Sequence, residues 1–429
     1  MAIMDTIEVK QKIFFDSQRL SFKGDREQFS ELKVLEQWGR ARLKIAIVTE
    51  TWPPELNGVA LSLLQICKGL QRLGHKILLV RPTQKQKCDD FAPNRECLVN
   101  GQVIPKYSQM QFGWPQYGKV AKSFDEFQPD IVHIVTEGPL GFAVLQVAKN
   151  KKIPVTSGFH SAFQDFSRFY DLAFMVKPIQ QYLKWFHNNT NLTCVPSQDT
   201  AEAIRNFGVT CAVEVIKTGV DVERFSPQLR SLVLRRKWGA DENTTVMLYV
   251  GRVSPEKEIE VLINSYLLLK NRSERNFKLV IVGDGPDHAR LVRLAKNTDI
   301  IFTGSLSGTS LAECFASANV FVFASQVETF GNVVLEAMAS ALPVVAFNYA
   351  CAKQYLDSET SWLAPLGDRQ QFVTHVLNLP SNKCLQKMGM QAMRKVQQVG
   401  WSHPVQQLES AFYRVIKQAT LGHTMIGVE

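Results

Sequence analysis

The sequence predicts an α/β protein built from two doubly wound domains that face each other across a cleft. Three observations predict this class: apolar β-rich runs alternate with helical patterns, the alternation restarts midway, and the chain has 429 residues. Alternating strands and helices are typical of parallel sheets joined by crossover helices. A single hydrophobic core seldom grows beyond about 250–300 residues, so two cores are expected.

The first alternation occupies residues 44–215, the predicted N-terminal domain. Its predicted strands cover residues 44–49, 76–81, 131–135, 153–157 and 192–195. Its predicted helices cover residues 59–73, 140–149 and 178–188. Gly74 ends the first helix, because glycine is common just beyond a helix C terminus.

The second alternation occupies residues 216–400, the predicted C-terminal domain. Its predicted strands cover residues 246–250, 278–282, 300–303, 320–324 and 343–347. Its predicted helices cover residues 258–270, 287–296, 311–317 and 332–341. Gly219, Pro227 and Gly239 interrupt the pattern near the join. Residues 401–429 are predicted to contain a last helix, about 405–419, that can pack back on the N-terminal domain.

Residues 1–43 form an N-terminal extension outside the α/β pattern. Phe29, Leu32, Leu35 and Trp38 recur at helical spacing, which predicts one amphipathic helix. Such a helix either covers the N-terminal domain or binds a partner, and the sequence leaves both open.

Composition and charge narrow the class of protein. The apolar fraction of 45% and charged fraction of 21% argue against disorder. No run approaches the roughly 18 apolar residues of a membrane span, and the first residues lack the apolar core of a signal peptide, so a cytoplasmic location is expected. The net charge is +9, with +6 on residues 1–220. No run of five or six basic residues occurs, which argues against a nucleic-acid tail and favours a phosphorylated ligand or an anionic membrane surface.

The eight cysteines are scattered and form no CxxC pair. In a chain without a signal peptide, that spacing favours free core thiols over a metal site. No His, Asp and Glu set has a metal-ligand spacing either, so no metal site is predicted.

Arg252 and Lys257 bracket a proline turn directly after the first strand of the second domain. In an open α/β sheet, ligands bind beyond the carboxyl ends of the strands. Two cations there can hold a diphosphate, with arginine as a fork and lysine as a point charge. The alternative is a solvated charge cluster, because Glu256, Glu258 and Glu260 are neighbours.

The segment of residues 325–336 also follows a predicted strand, and a helix is expected to begin near Gly331. Glu328 precedes that helix and Glu336 lies within it. Two carboxylates beside an anion site would repel the anion unless they accept hydrogen bonds from hydroxyl donors. The pattern therefore predicts a ligand that combines phosphate and polyol. The alternative for Glu328 is a carboxylate that interacts with the helix dipole.

Two residues of the first domain are weaker candidates. Gly58 opens a helix after the first strand, where backbone N–H groups can approach an anion, but a plain tight turn is an equal alternative. His160 follows another strand and is either a buried hydrogen-bonded side chain or a catalytic donor. Neither GxGxxG nor a P-loop occurs, which weighs against NAD and ATP.

Taken together, these stretches resemble the retaining glycosyltransferases of family 4, which have the GT-B fold of two Rossmann-like domains facing across a cleft. The resemblance spans about residues 44–400 and lies in ordered motifs: Pro-Pro…Asn-Gly-Val, Gly-Val-Asp, Gly-Arg…Glu-Lys, Gly-Asp-Gly-Pro and Phe-Thr-Gly, then Glu-x7-Glu with its tail Glu-Ala-Met-Ala-Ser…Leu-Pro-Val-Val-Ala. Residues 136–141 and 182–188 resemble bacterial GDP-mannose-dependent α-mannosyltransferases.

The resemblance implies a role for each C-terminal candidate. Arg252 and Lys257 would hold the donor diphosphate at an exposed cleft edge, Glu328 would bind sugar hydroxyls, and Glu336 would bind the ribose. Three backbone N–H groups would bind sugar and phosphate oxygens: those of Gly331, Asn332 and Val333. No metal and no cofactor would be needed, because the nucleotide sugar is a substrate and the cations and helix ends stabilise its charge.

On the N-terminal side, the resemblance implies that Gly58 passes close to the diphosphate and that His160 lies near the transferred sugar. The family's usual glycines are replaced by Asn57, Glu258 and Ala341, and its common asparagine is replaced by Thr218. Asparagine at position 57 is expected to be tolerated because it enters left-handed conformations readily.

The resemblance therefore implies a retaining transferase that moves a hexose, with mannose from GDP-mannose favoured, to a lipid or saccharide hydroxyl. Cell-envelope glycan or glycolipid synthesis is the implied role. A same-fold epimerase or phosphorylase and a non-catalytic sugar-nucleotide-binding scaffold are the alternatives. Aromatic and basic residues between residues 163 and 186 suit peripheral contact with an anionic membrane, whereas Ile179, Leu183 and Phe186 form a helical stripe that suits the core.

Overall fold

The computed structural model describes residues 41–55, 57–84, 90–104, 107–160 and 173–425. The predicted N-terminal helix over Phe29–Trp38 and the first part of the aromatic segment lie outside these residues. Among the described helices, none has the length and apolarity needed to cross a membrane.

Parallel strands and crossover helices alternate through the described part of the N-terminal half. Its strands are β1 (Lys44–Val48), β2 (Lys76–Pro82), β3 (Arg95–Val99), β4 (Gly101–Ile104), β5 (Tyr107–Gly113), β6 (Ile131–Ile134), β7 (Val155–Gly158), β8 (Leu192–Val195) and β9 (Ala212–Val215). Its helices are α1 (Gly58–Arg72), α2 (Tyr117–Phe127), α3 (Pro139–Asn150), α4 (Ala173–Asn188) and α5 (Gln198–Asn206).

The described part of the C-terminal half repeats the alternation. Its strands are β10 (Thr245–Val250), β11 (Phe277–Val282), β12 (Ile301–Gly304), β13 (Val320–Phe323), β14 (Val344–Phe347) and β15 (Ser361–Ala364). Its helices are α6 (Leu232–Lys237), α7 (Ile259–Arg272), α8 (His288–Leu294), α9 (Gly308–Ser317), α10 (Val333–Ala339), α11 (Ala350–Tyr355), α12 (Arg369–Leu377), α13 (Asn382–Val396) and α14 (Ser402–Met425).

The strand order reverses once in each sheet. The N-terminal sheet has the order β3-β2-β1-β6-β7-β8-β9 and the C-terminal sheet has the order β12-β11-β10-β13-β14-β15. All described neighbours in these two sheets pair in parallel, whereas β4 and β5 form a separate antiparallel pair. The prediction of two doubly wound parallel sheets is confirmed. In such sheets ligands usually bind where the order reverses, and these positions lie between β1 and β6 and between β10 and β13.

The central strands are apolar on both faces because helices cover both sides of each sheet. Every residue of β10 and of β13 is buried, and so is every residue of β6. The C-terminal sheet has one contiguous core around these strands, and the N-terminal sheet has a core on each face. The buried strands therefore form rigid supports for the loops that leave their carboxyl ends.

The last helix packs against the N-terminal half. Val405, Leu408 and Phe412 of α14 are buried in the same cluster as Leu63 and Ile66 of α1. At Gly69, an added Cβ would lie 2.4 Å from a Val405 methyl group, so glycine allows this close approach. The chain thus crosses from the second half back to the first.

Several described elements were missed by the sequence analysis, including β3, β9, β15, α2 and α6. β3, β9, β15 and α6 have only four to six residues each, and β3 and β9 carry charged residues, so their hydrophobic periodicity is weak. Helix α2 is different, because it has 11 residues and buries Val120, Phe124 and Phe127 at helical spacing, a pattern that the sequence analysis overlooked. The start of α4 was also wrong, because the helix begins at Ala173 and contains Pro178 in its interior. Leu183 and Phe186 of α4 are buried, in agreement with the core interpretation of that stripe, whereas Trp185 is 39% exposed.

Candidate functional site

Segments that follow β1 and β7 of the N-terminal sheet contact the segment that follows β13 of the C-terminal sheet. The Thr329 hydroxyl, after β13, donates to the His160 carbonyl, after β7, at 2.8 Å. The Asn332 side chain donates to the Ser62 hydroxyl of α1, also at 2.8 Å. These contacts bring the predicted residues of both domains to one location.

The turn after β10 is built around a buried carboxylate. Glu256 is fully buried, and its Oε1 accepts from the Ser254 hydroxyl at 2.6 Å and from Arg252 Nη2 at 2.5 Å. Burial alone would raise the pKa of Glu256, but the Ser254 hydrogen bond and the Arg252 charge bring this pKa below its usual value. The alternative of a solvated charge cluster is therefore wrong for Glu256. Its carboxylate orients the Arg252 guanidinium, whose side chain is 32% exposed.

Lys257 links the two loops of the C-terminal switch point. Its ammonium donates to Glu328 Oε1 at 2.5 Å, to the Val327 carbonyl at 2.8 Å and to the Ser325 hydroxyl at 3.3 Å. Only 9% of Lys257 is exposed, so the expectation of an exposed cleft edge is wrong for this residue. A paired and nearly buried ammonium is held in one position, which suits electrostatic stabilisation of a bound anion.

Two glycines allow the loop after β11 to press against the loop after β10. An added Cβ at Gly283 would lie 1.8 Å from the Gly251 carbonyl oxygen, and one at Gly285 would lie 2.3 Å from the Val253 carbonyl oxygen. The Val253 N–H donates to the Asp284 carbonyl at 3.0 Å. The loop that contains the Gly-Asp-Gly-Pro motif thus packs against the turn that carries Arg252.

The three residues that replace the family's usual glycines do not all have the backbone conformation expected of them. Asn57 is extended, with φ −138°, and its side chain caps α1 by accepting from the Ala60 N–H at 2.8 Å. The left-handed explanation is therefore wrong for Asn57. Left-handed backbone conformations occur instead at Glu258 and Ala341, whose φ angles are +48° and +59°. Arg369 pairs with the Glu258 carboxylate and holds that strained residue in place.

The segment before α10 carries the remaining C-terminal candidates. The helix begins at Val333 with Asn332 as its N-cap, after Gly331 at φ +91°. The first N–H groups of a helix have no acceptor one turn back within it. At the start of α10, the Val334 N–H donates to the Gly331 carbonyl at 3.0 Å. Burial raises the pKa of the Glu336 carboxyl to about 7, and the Arg224 charge opposes that rise. A ligand that donates a hydrogen bond to the charged form of Glu336 would stabilise that form and lower the pKa of the carboxyl.

On the N-terminal side, Gly58 begins α1. An added Cβ there would meet no described atom closer than Asn332 Nδ2, at 3.9 Å. The protein atoms around Gly58 therefore leave room for a side chain at this position.

His160 lies at the end of β7 with its ring against Gly158, where an added Cβ would be 2.6 Å from Nε2. Burial lowers the pKa of His160, the Glu137 charge partly restores it, and His187 lowers it further. The imidazole is therefore neutral at neutral pH and can donate one hydrogen bond and accept another.

The sequence analysis missed a buried polar network beside His160. Glu137 Oε1 lies 3.3 Å from His187 Nε2, and His187 Nδ1 lies 3.0 Å from the Ser157 hydroxyl. Glu50, directly after β1, accepts from the Leu140 N–H at 2.9 Å. Burial raises the pKa of Glu50 to about 7, two backbone N–H groups lower it, and the Glu137 charge raises it. Glu50 and Glu137 follow the two strands of the switch point, and that position is the signal that could have found them.

Comparison with known proteins gives matches over both halves. Residues 56–224 match the family model described as Glycosyltransferase Family 4, and residues 232–395 match the model described as Glycosyl transferases group 1. The chain is 31% identical over 333 residues to a GDP-mannose-dependent alpha-mannosyltransferase of Mycobacterium tuberculosis, a match that covers 76% of this chain and 85% of that protein.

A second relative and a solved structure extend the comparison. The sulfoquinovosyl transferase SQD2 of Arabidopsis thaliana is 27% identical over 369 residues, which are 83% of this chain and 71% of that protein. The structure of sucrose-phosphate synthase from Thermosynechococcus elongatus aligns with a TM-score of 0.71 over 88% of this chain and all of that chain. At 18% identity this likeness concerns the fold alone, and it confirms the predicted GT-B architecture.

Proposed function

This chain belongs to glycosyltransferase family 4, and we propose that it transfers a hexose from a nucleotide sugar to a lipid or saccharide hydroxyl with retention of configuration. The favoured donor is GDP-mannose. A relative at 31% identity is named a GDP-mannose-dependent alpha-mannosyltransferase, which supports this choice. Another relative is named for a different sugar, so the donor is the first point to test.

The observation that carries the proposal is the position of the Lys257 ammonium. It contacts Glu328 at 2.5 Å and lies beside the Arg252 turn at the carboxyl end of β10. In the proposed complex, Lys257 and Arg252 bind the diphosphate and stabilise the negative charge that develops on it as the glycosidic bond breaks. Glu328 then accepts hydrogen bonds from the sugar hydroxyls while it remains next to Lys257.

The nucleotide is held by the start of α10 in this proposal. Backbone N–H groups of Gly331, Asn332 and Val333 donate to sugar and phosphate oxygens, and the Glu336 carboxylate accepts from the ribose hydroxyls. Gly58 allows the diphosphate to approach α1, which agrees with the open space around its Cα. Neutral His160 donates a hydrogen bond near the transferred sugar.

The transfer step is a front-face substitution. The acceptor oxygen bonds to the anomeric carbon on the face from which the diphosphate leaves, and the leaving phosphate oxygen takes the acceptor proton. We assign no side chain as a covalent nucleophile. In this proposal the two cations and the helix end stabilise the charge of the leaving diphosphate, so the reaction requires neither metal nor cofactor.

We also infer that the acceptor reaches the enzyme from the N-terminal side, at the inner face of the cell membrane or in the cytoplasm. Trp185 and the exposed Lys184 on α4 support peripheral contact, whereas the buried Leu183 and Phe186 restrict that contact to one edge of the helix. Flotation with anionic vesicles at low salt tests the membrane contact. A protein that stays with the soluble fraction contradicts it and leaves the transferase proposal intact.

The test of the proposed function is an assay with labelled GDP-mannose, UDP-glucose and ADP-glucose, in EDTA, with glycoside and glycolipid acceptors. We expect a glycoside product whose new bond keeps the donor configuration, as read by proton NMR. An altered nucleotide sugar without acceptor product would identify an epimerase. Donor binding without any product, or a product with inverted configuration, would contradict the proposal.

A further inference from the structure

The loop of residues 325–332, between β13 and α10, is fixed along its backbone by the C-terminal half of the protein. The Gln326 N–H donates to a carbonyl of the turn after β10 at 3.1 Å, and the Val327 carbonyl accepts from the Lys257 ammonium at 2.8 Å. The Phe330 carbonyl accepts from an N–H of α11 at 2.9 Å. Because these contacts are distributed along the loop, its backbone should move with the C-terminal half as one unit.

Two side chains of the 325–332 loop make hydrogen bonds to the N-terminal half. The Thr329 hydroxyl donates to the His160 carbonyl, and the Asn332 amide donates to the Ser62 hydroxyl of α1, each at 2.8 Å. Both bonds are partly shielded from water. Any movement that separates the two halves at this point must break both bonds, since the loop backbone is fixed to the C-terminal half.

The two contacts lie next to the residues that the proposed function assigns to the donor. Thr329 directly follows Glu328, and Asn332 directly precedes the first residue of α10. On the other half, His160 is assigned to the transferred sugar. The bond between Thr329 and the His160 carbonyl therefore fixes the spacing between Glu328 and His160, which would contact the sugar from opposite sides of the cleft.

Another polar contact among the described residues joins the two halves outside this loop. Lys353 of α11 lies 3.0 Å from Asp199 of α5, and both side chains are about half exposed. An exposed ion pair contributes little, because water competes for both charges and salt screens them. The Lys353–Asp199 pair thus offers a matched control that spans the same halves without the 325–332 loop.

Separation of the halves beside the donor would admit water to the anomeric carbon. In that competing reaction, the water oxygen bonds to the anomeric carbon, the bond from this carbon to the phosphate oxygen breaks, and the leaving phosphate takes the water proton. The products are the free hexose and the nucleoside diphosphate. Closure of an active site suppresses this hydrolysis by excluding water. Contacts that keep the cleft closed should therefore change the ratio of hydrolysis to transfer.

We propose that Thr329 and Ser62 are positioning residues that hold the two halves together over the bound donor and so protect it from hydrolysis. Thr329 acts through the His160 carbonyl, and Ser62 acts through the Asn332 amide. The inference rests on the proposed transferase function and adds to it the means by which water is excluded.

The test compares four variants. Thr329→Val and Ser62→Ala each remove one hydroxyl that joins the halves, and Thr329→Ser keeps the hydroxyl in a smaller side chain. Lys353→Ala removes the exposed ion pair. Glycoside product and free hexose are measured from the same labelled GDP-mannose, and calorimetry measures GDP affinity. Amide hydrogen exchange of the GDP complexes, followed by mass spectrometry, reports the contact between the halves without any turnover.

We expect the ratio of hydrolysis to transfer to rise about two- to tenfold in Thr329→Val and in Ser62→Ala, the range for loss of one hydrogen bond between uncharged groups. Thr329→Ser and Lys353→Ala should keep the wild-type ratio. GDP affinity should stay near the wild-type value in all four, because Arg252, Lys257 and Glu336 lie on the C-terminal half. Amide exchange at the start of α1 and the end of β7 should be faster in the first two variants only.

An unchanged ratio and unchanged exchange in Thr329→Val and Ser62→Ala would overturn the inference, and so would an equal rise in Lys353→Ala. A rise that also occurs in Thr329→Ser would contradict the role of the hydroxyl. Failure of the proposed function gives a different result, because the wild type would then release neither glycoside product nor free hexose from any donor. The exchange measurement alone would in that case decide whether the two contacts hold the halves together.

Discussion

The two sides of the cleft carry different charges at equivalent positions of two similar sheets. After β10 and β13, Arg252 and Lys257 face the carboxylates of Glu256 and Glu328. After β1, β6 and β7, the side chains are the carboxyls of Glu50 and Glu137 and the neutral imidazole of His160. The first set suits an anion that also carries hydroxyls, and the second set suits hydroxyls without an anion.

In open α/β sheets the strand order determines where a ligand binds, and the loops determine which ligand it is, so this difference predicts different ligands on the two sides. Both sheets reverse their strand order once and present their loops to the same cleft. On the C-terminal side, Arg252 pairs with the fully buried Glu256, and the nearly buried Lys257 pairs with Glu328. The proposed function accordingly assigns the donor diphosphate to the C-terminal side and the acceptor hydroxyl to the N-terminal side.

The largest effect is expected for substitution of Lys257, the cation that pairs with Glu328. Lys257→Ala should lower turnover by about 10²–10³, the scale of losing one preorganised charge-stabilising donor. It should also lower the melting temperature, because Glu328 loses its buried partner. The matched control is Arg290→Ala, an exposed arginine of the same half that pairs with Glu260 and Asp287. Turnover near the wild-type value in Lys257→Ala would show that Lys257 does not act in the donor site.

The second prediction separates sugar from nucleotide. Glu328→Gln should lower transfer about 10–100-fold, because a hydrogen bond to a charged group contributes roughly 1.5–3 kcal/mol. GDP should bind at least as tightly as to the wild type, because Lys257 loses a competing carboxylate. Steady-state kinetics and calorimetry measure the two effects. Weaker GDP binding with normal transfer would contradict this assignment and indicate that Glu328 binds the nucleotide instead of the sugar.

The third prediction compares one carboxyl from each side, since burial raises the pKa of both Glu336 and Glu50 to about 7. If only charged Glu336 accepts the ribose hydroxyls, GDP affinity should rise about tenfold from pH 6 to pH 8 as the competent fraction grows. Glu336→Gln should flatten this rise, and Glu50→Gln should keep it, because Glu50 supports the acceptor side. Loss of the rise in Glu50→Gln alone would contradict the assignment.

The same two carboxyls also make folding depend on pH. Each has a raised pKa in the folded protein, so between about pH 4.5 and 7 the folded state binds more protons than the unfolded state. The free energy of unfolding therefore falls as the pH rises through that window. Glu336→Gln should reduce this slope, as measured by urea unfolding at pH 5 and pH 8. An unchanged slope would mean that Glu336 is not the source of the pH dependence.

The smallest expected effect compares two glycines of α1. Gly58→Ala should raise the donor KM severalfold and change the free energy of unfolding by less than about 0.5 kcal/mol, because the added Cβ enters open space that the diphosphate would occupy. Gly69→Ala should leave the donor KM unchanged and lower the free energy of unfolding by about 1–3 kcal/mol, because its Cβ would lie 2.4 Å from Val405. A normal donor KM in Gly58→Ala would remove Gly58 from the donor site.

Sequence reasoning found the parts of the fold and site that have strong local patterns. The buried strands β1, β10 and β13 are continuous apolar runs, and the candidate residues follow them directly, so both could be identified from the sequence. Short edge strands such as β9 lack this periodicity and were missed. The roles of Arg252, Lys257, Glu328 and Glu336 remain predictions until these variants are measured.

Burial and backbone conformation could not be predicted in the same way. Glu256 and Glu258 look solvated in the sequence, yet one is buried against Arg252 and the other is paired with Arg369. Residues 57, 258 and 341 all replace usual glycines, but only the last two have positive φ. These properties depend on long-range contacts that no local pattern records.

The most direct test of the account is a calorimetric titration of GDP into the wild type and Lys257→Ala, both in excess EDTA. The central claim is that side chains of the C-terminal switch point bind the donor diphosphate without a metal. We predict one nucleotide bound per wild-type chain in EDTA, and affinity at least about tenfold weaker in Lys257→Ala, as expected for loss of a charged hydrogen bond. Equal affinity in the two proteins, or wild-type binding that appears only after Mg²⁺ or Mn²⁺ is added, would contradict the account.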